Sequence, residues 1–358
     1  AMVRDEARHV LSMLKPEPGS GGLLANVPVA GDTAAGGLKI AQAAVQQLFD
    51  TAERLAAEDT SQDVLWCHRG VGRADDGVTR LKAAPLHVAG LIREGLLGEA
   101  TGIFTSATLT LGAKFEPLAG RLGLISDPPT PWTHLDVGSP FDYPNQGILY
   151  VARHLPEPGR EPVTEGQLDD IAALIEAAGG RTLGLFSSWK ATTRVVEAMR
   201  DRLDVPILAQ GDDQLSTLAR EFRDDPRACL FGTMSLWQGV DMPGDTCTLV
   251  IIDRIPFPHP GDPVSQARIE YIKKTGGNWF MTVSATHAAL SLAQGAGRLI
   301  RTTTDRGVVA VLDPRLETKR YGSFLKASLP RFWPTTDLDV VETSLRNLDA
   351  QATEREAA

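Results

Sequence analysis

The sequence predicts an α/β chain whose main body is a mostly parallel sheet with helices on both faces. Three observations carry this. Six short apolar runs, 147–151, 182–186, 206–208, 229–231, 248–252 and 308–312, recur along the second half of the chain. Between them lie amphipathic stretches of helical period at 167–178, 191–203, 214–223, 264–274 and 285–296. The runs are apolar on consecutive residues rather than alternate ones, as strands buried on both faces must be, and parallel strands need a crossover of helix length between them.

Taken in chain order, the first 80 residues read as a helical segment without a sheet. Helical patterning covers 6–14 and 38–57, broken by a Pro/Gly-rich loop at 16–22 and a Gly/Ala-rich one at 31–37. From Leu81 the pattern changes: a helix over 85–97 leads into an apolar strand, Gly102-Ile103-Phe104, that ends in Thr105-Ser106-Ala107-Thr108. Hydroxyls at a strand's carboxyl end are where ligands sit in open α/β sheets. A Pro/Asp-rich linker at 126–131 separates this piece, 81–137, from the regular body, 138–345, and a polar, flexible tail is expected over 346–358.

Composition excludes several function classes. With 36 Lys+Arg against 45 Asp+Glu, a net charge of −9 disfavours a globally basic nucleic-acid binder. The three cysteines, Cys67, Cys229 and Cys247, are scattered and form no C-x-x-C pair, so neither a disulfide framework nor a zinc or iron–sulfur cradle is expected. No run reaches the roughly 18 apolar residues of a membrane helix. The histidines show no metal-binding spacing, and Ser187 and Ser284 lack the elbow of a serine hydrolase.

Two runs carry chemistry. Gln294-Gly295-Ala296-Gly297-Arg298-Leu299-Ile300-Arg301 closes a helix, where two arginines three apart share a face and Gly297 permits close approach to a polyphosphate. The same residues also suit a helix C-cap with two surface arginines. Trp237-Gln238-Gly239-Val240-Asp241 follows a buried strand and brings an amide and a carboxylate to the sheet edge, or else is a βα turn with Asp241 as N-cap.

A wider pattern joins these runs. Thr105-Ser106-Ala107-Thr108-Leu109, Phe186-Ser187-Ser188-Trp189, Trp237 to Asp241, Ile255-Pro256-Phe257-Pro258 with Asp262-Pro263, and Gln294 to Arg301 stand in the order and approximate spacing of superfamily 2 helicase motifs III to VI. The wording of the last two resembles the DinG branch of the XPD-like DNA helicases, and the match covers about 81–332. The resemblance implies a RecA-like P-loop NTPase fold, specifically the second helicase motor domain, working in the bacterial cytosol near the nucleoid. It also implies ATP with Mg²⁺ bound between two motor domains and translocation 5′ to 3′ along single-stranded DNA. It places Arg298, Arg301 and Gln294 at the γ-phosphate, with Gly297, Gln238, Gly239 and Asp241 on the nucleotide side. Ser106 and Thr108 would couple hydrolysis to movement, and Ser187, Ser188 and Trp189 would contact DNA.

The departures are equally specific. No G-x-x-x-x-G-K-[ST] occurs; the nearest candidate, 31–39, follows no strand. Asp5-Glu6-Ala7-Arg8 imitates an acidic Mg²⁺ box but has Arg in place of His, and no four-cysteine set exists for an iron–sulfur cluster. The expectation is therefore the C-terminal part of a longer, monomeric helicase. Its residues 1–80 would be a remnant of an inserted, arch-like domain, and the part alone would be inactive as an ATPase. The alternative is a non-catalytic RecA-like module that binds single-stranded DNA or a protein partner.

Overall fold

The computed structural model describes residues 2–14, 33–70, 77–106, 108–126, 129–233, 236 and 247–356, grouped in two compact units. The loop 16–22, part of 31–37 and Ala107 lie outside the described residues, as do Trp237, Gln238, Gly239, Val240 and Asp241.

The smaller unit comprises residues 1–88 and 260–275. Its helices α1 (Met2–Met13) and α2 (Thr33–Ala56) pack together: Ala7 is buried, the Arg8 guanidinium lies 5.3 Å from the Phe49 ring centre, and Gln42 Nε2 donates to the Leu14 carbonyl at 2.8 Å. The imitation acidic box is thus part of a surface helix. Contrary to the sheet-free expectation, strands β1 (Asp63–Arg69) and β2 (Thr79–Pro85) pair antiparallel from Asp63↔Pro85 to Arg69↔Thr79. The pattern hid them because only Val64 is buried in either strand, and a two-stranded ribbon exposed on most of its surface has little apolar alternation. Pro85 therefore ends a strand, and the helix expected over 85–97 shrinks to Ala89–Gly95. The helix Pro263–Lys274 returns to this unit, N-capped by Asp262, whose Oδ2 accepts from the Ser265 amide at 2.8 Å. Arg268 Nε ties it to the Leu86 carbonyl at 2.9 Å.

The larger unit, residues 89–259 and 276–358, is built on a seven-stranded sheet. Strands β3 (Gly147–Val151), β4 (Thr182–Leu185), β5 (Ile207–Ala209), β6 (Cys229–Gly232), β7 (Leu249–Ile252), β8 (Gly307–Val311) and β9 (Trp333–Thr335) run in the order β5-β6-β4-β7-β8-β3-β9, every pair parallel. Side chains alternate between two cores. Leu149, Leu183, Leu230, Val250 and Val309 face helices α5 (Leu215–Asp224) and α6 (Thr286–Ala296). Tyr150, Cys229, Phe231, Ile251 and Ala310 face α3 (Glu165–Ala177), α4 (Trp189–Arg202) and α7 (Leu338–Glu356). Six of the strands match the apolar runs; β9 does not, being three residues long with Pro334 inside, a residue tolerated only at a sheet edge.

Three further differences have physical causes. Gly102, Ile103 and Phe104 form no strand, and Ile103 is 86% exposed, because no described strand lies beside them to take their hydrogen bonds. A π-helical segment, Phe280–Ala285, precedes α6, where Thr286 Oγ1 donates to the Met281 carbonyl at 2.9 Å. The polar tail is helical through Glu356: α7 docks by buried Val341, Leu345 and Ala352, and Asp349 sits 3.7 Å from the Arg181 guanidinium. Its apolar positions are sparse, so amphipathicity is weak in sequence although the docked stripe is fully covered.

Leu345 is 0% exposed, so Leu345→Ala should cost about 2–5 kcal/mol in urea denaturation. A frayed tail would show less than about 0.5 kcal/mol.

Candidate functional site at the two edges of the sheet

Parallel strands gather their carboxyl ends on one edge. There β4 runs through Phe186 into Ser187-Ser188-Trp189 and α4. Ser188 is the N-cap, its Oγ accepting from the Ala191 amide at 3.2 Å. Ser187 is turned inward: its amide donates to Asp253 Oδ1 and its hydroxyl to Asp253 Oδ2, both at 2.8 Å. Trp189 is 53% exposed at the head of α4, and a Cβ placed on Gly211, at φ +105°, would come within 3.7 Å of its indole. The three residues grouped by sequence thus divide into an anchor, a cap and an outward aromatic.

Asp253 follows β7 and is 1% exposed. Burial pushes its carboxyl up to about 7, against the pull of the Ser187 hydroxyl and amide and of the Arg254 charge. Arg254 is itself engaged with the carbonyls of Gly159, Glu161 and Pro162. One strand over, Asp313 is also fully buried but has a full cation: Arg315 Nε and Nη2 reach it at 2.9 and 2.7 Å. The amides of Ile255 and Arg315 add bonds at 2.9 and 3.0 Å, fastening the loop after β7 to the loop after β8. Gln167 closes the edge: it completes the capping box of α3 with Thr164, and its Nε2 donates to the carbonyls of Asp253 and Leu312. Gln210 Oε1 likewise accepts from the Thr233 amide and hydroxyl, at 2.8 and 3.0 Å.

The arginine run lies on the opposite edge. Helix α6 ends at Ala296 with Gly297 as C-cap, so Arg298 and Arg301 stand beyond the helix and helical spacing does not place them. Buried Leu299 and Ile300 do, together with Asp305, whose Oδ2 accepts from the amides of Arg301 and Thr302 at 2.7 and 2.8 Å. Gln146 Nε2 holds the same loop through the carbonyls of Thr302 and Asp305. The loop then enters β8 at Gly307, where a Cβ would strike the Thr248 carbonyl at 2.3 Å, so the run sits at the amino ends of β7 and β8. Gln294 and both arginines are partly exposed there. From Thr248 to Asp253 the sheet is about 16 Å deep at roughly 3.3 Å per residue, so the arginines and the Trp189 turn are not neighbours.

Ser106 and Thr108 join neither group. They bond in a local turn, the Thr108 amide donating to Ser106 Oγ at 3.2 Å, after which buried Leu111 anchors the chain in the α6-side core. Of the run from Met234 to Thr246, Leu236 alone is described; Thr233 follows β6 and Cys247 precedes β7. Among the described residues no group of three or more His, Cys, Asp and Glu side chains could hold a metal ion.

Residues 171–332, from within α3 to the residue before β9, match the helicase C-terminal domain family. The chain is 52% identical over 321 residues to an ATP-dependent helicase DinG of Mycobacterium tuberculosis, covering 87% of this chain and 48% of that protein. It is 37% identical over 260 residues to an ATP-dependent DNA helicase YoaA of Escherichia coli, covering 72% and 40%. The chain belongs to the DinG/XPD-like helicases of superfamily 2. It spans about half the length, or less, of these relatives. A solved apo XPD structure superposes with a TM-score of 0.56 at 15% identity over 94% of this chain and 71% of that one, and an XPD helicase structure with 0.53 at 14% over 92% and 62%. These likenesses establish the RecA-like fold of this DinG/XPD-like chain.

Asp253, Asp313, Gln167 and Gln210 belong to no motif of the sequence. A usable signal was present for two of them: Ile251-Ile252-Asp253 and Val311-Leu312-Asp313 each end a buried apolar run in Asp, at the edge where parallel sheets bind ligands. Because Asp253 in this DinG/XPD-like chain titrates at about 7 against roughly 3.9 unfolded, the folded state holds a proton between those values that the unfolded state releases. Its contribution is favourable at low pH and is lost as pH rises through about 7. Asp253→Asn should therefore gain stability relative to wild type by up to ~1.4 kcal/mol per pH unit across that window and level off above it. Urea midpoints at pH 5, 6, 7 and 8 measure this, and a constant difference would contradict it.

Proposed function

We propose that this chain is the C-terminal part of an ATP-dependent DNA helicase that translocates 5′ to 3′ on single-stranded DNA during repair or replication. The observation that carries the reading is the helicase C-terminal domain match over 171–332, which takes in both the Trp189 turn and the arginine run. Residues 1–80 belong to an inserted arch-like domain, 81–137 to the end of the first RecA-like domain, and 138–345 to the second.

Arg298 and Arg301 act as the charged side of a shared ATP site. Two guanidinium groups on a loop held by Leu299, Ile300 and Asp305 are preorganised to stabilise charge that develops on a transferring phosphoryl group. Gln294, at the last turn of α6, contacts the γ-phosphate or the attacking water, and Gly297 leaves room for the phosphates. ATP supplies the free energy for movement. Phosphate cradling and Mg²⁺ ligation fall to another motor domain, since the 358 residues hold no P-loop motif and the described residues no metal cluster. On the other edge Trp189 stacks on a base and Ser188 offers its hydroxyl proton to a phosphate. Gln238, Gly239 and Asp241 act on the nucleotide side and link it to the DNA, and Ser106 and Thr108 relay the coupling between motor domains. The protein works as a cytoplasmic monomer.

Two measurements test this. Joined to a motor domain that carries a P-loop and acidic box, the chain should show DNA-stimulated ATP hydrolysis that falls about 10³-fold or more in Arg298→Ala and Arg301→Ala, and an unchanged rate would remove the arginines from the site. Alone, it should release phosphate from ATP no faster than a buffer blank; robust turnover would overturn the division of the site.

A further inference from the structure

Among the described residues of the larger unit, Asp253 is a buried carboxylate whose burial costs the fold without a dedicated cation. Asp253 is 1% exposed, and burial holds its acidity far from the ordinary carboxylate range, so it weakens the fold at neutral pH. Its neighbour Asp313 is matched by Arg315, whereas the two oxygens of Asp253 are spent on the amide and hydroxyl of a single residue, Ser187. Ser187 stands two residues before Trp189. Between them Ser188 starts α4, and the indole leaves the surface beside Gly211. Strands β4 and β7 are adjacent, with Leu185 opposite Ile252, so the carboxylate reaches from one strand end to the turn that follows the other.

We propose that Asp253 is a positioning residue for single-stranded DNA: by gripping both polar atoms of Ser187 it fixes the turn that presents Trp189 to a base. This rests on the reading of Trp189 as a stacking residue, and it assigns to Asp253 no contact with DNA. Two geometric facts favour a grip over a simple filling role. A lone bond would leave the turn free to rotate about it, while two bonds from adjacent atoms of one residue remove that rotation. The Gln167 bond goes to the main-chain carbonyl of Asp253 and the Asp253 amide donates to the Leu185 carbonyl at 3.4 Å, so neither link takes up the carboxylate, which faces Ser187 with the Arg254 amide beside it.

The test is a double-mutant cycle on this chain, read as the affinity for a labelled oligothymidylate at low salt by fluorescence anisotropy, with thermal melts as the folding check. Trp189→Ala should weaken binding roughly 5- to 100-fold, the range for loss of one base–aromatic stack. Asp253→Ala should weaken it by at least about 5-fold. Combined with Trp189→Ala it should add nothing. Asp253→Asn, which keeps an acceptor for the amide and a partner for the hydroxyl, should restore affinity to within about twofold. If Asp253→Ala fails to fold, Asp253→Ser, too short to meet both Ser187 atoms, replaces it with the same expectation. Full affinity in Asp253→Ala or Asp253→Ser beside a weakened Trp189→Ala would overturn the positioning role and leave the stacking role standing. Additive losses would overturn it too. Unchanged binding in Trp189→Ala, or none by wild type, would remove the stacking reading and the proposal with it.

Discussion

A parallel strand cannot be followed by its neighbour through a tight turn; the chain must cross back over the sheet, and each fully described crossover here carries a helix. Seven such strands therefore leave all carboxyl ends on one edge and all amino ends on the other. The division of chemistry follows directly. Residues that come just after a strand, such as Ser187, Thr233, Asp253 and Asp313, meet at the carboxyl edge whatever their separation in sequence. Residues that come just before one, Arg301 and Asp305 ahead of β8, meet at the other. Both apolar faces must be covered for this to hold, which is why α3, α4 and α7 on one side and α5 and α6 on the other bury nearly every strand side chain.

The two buried carboxylates show how differently one edge can treat the same group. Asp313 is compensated by a two-pronged guanidinium and two amides, the condition under which a buried charge is tolerated. Asp253 has hydrogen bonds but shares its cation with three backbone carbonyls, so desolvation dominates. The first holds two loops together at little cost. The second stands at a cost to the fold, the kind of local inconsistency that accumulates where a protein binds something.

The central architecture was legible because Leu249 to Ile252 and Val308 to Val311 advertise double-sided burial as uninterrupted apolar runs. The arginine run and the Trp189 turn were legible as motifs. Less visible were features that depend on partners distant in sequence. The β1–β2 ribbon pairs across an intervening loop with only Val64 buried, and α7 hides a narrow stripe of Val341, Leu345 and Ala352 among polar residues. The apolar Gly102-Ile103-Phe104 shows the converse: local propensity for a strand is not enough where no neighbour is available. The carboxylate–serine grip was hidden because Ser187 and Asp253 are 66 residues apart and only the strand order makes them adjacent.

The π segment at Phe280–Ala285 has a consequence for how this chain can vary. Each residue turns an α-helix by about 100°, and a π turn stores one residue more than the regular winding needs. That stored residue sets the rotational phase of everything after it, including the stripe of Ala289, Leu292 and Ala296 that lies on the strands. Length upstream of α6 is therefore quantised. A single deletion in that segment would return the π turn to regular winding with the buried stripe still in phase, whereas a single insertion would swing the stripe toward solvent; in a surface loop either change would be absorbed locally.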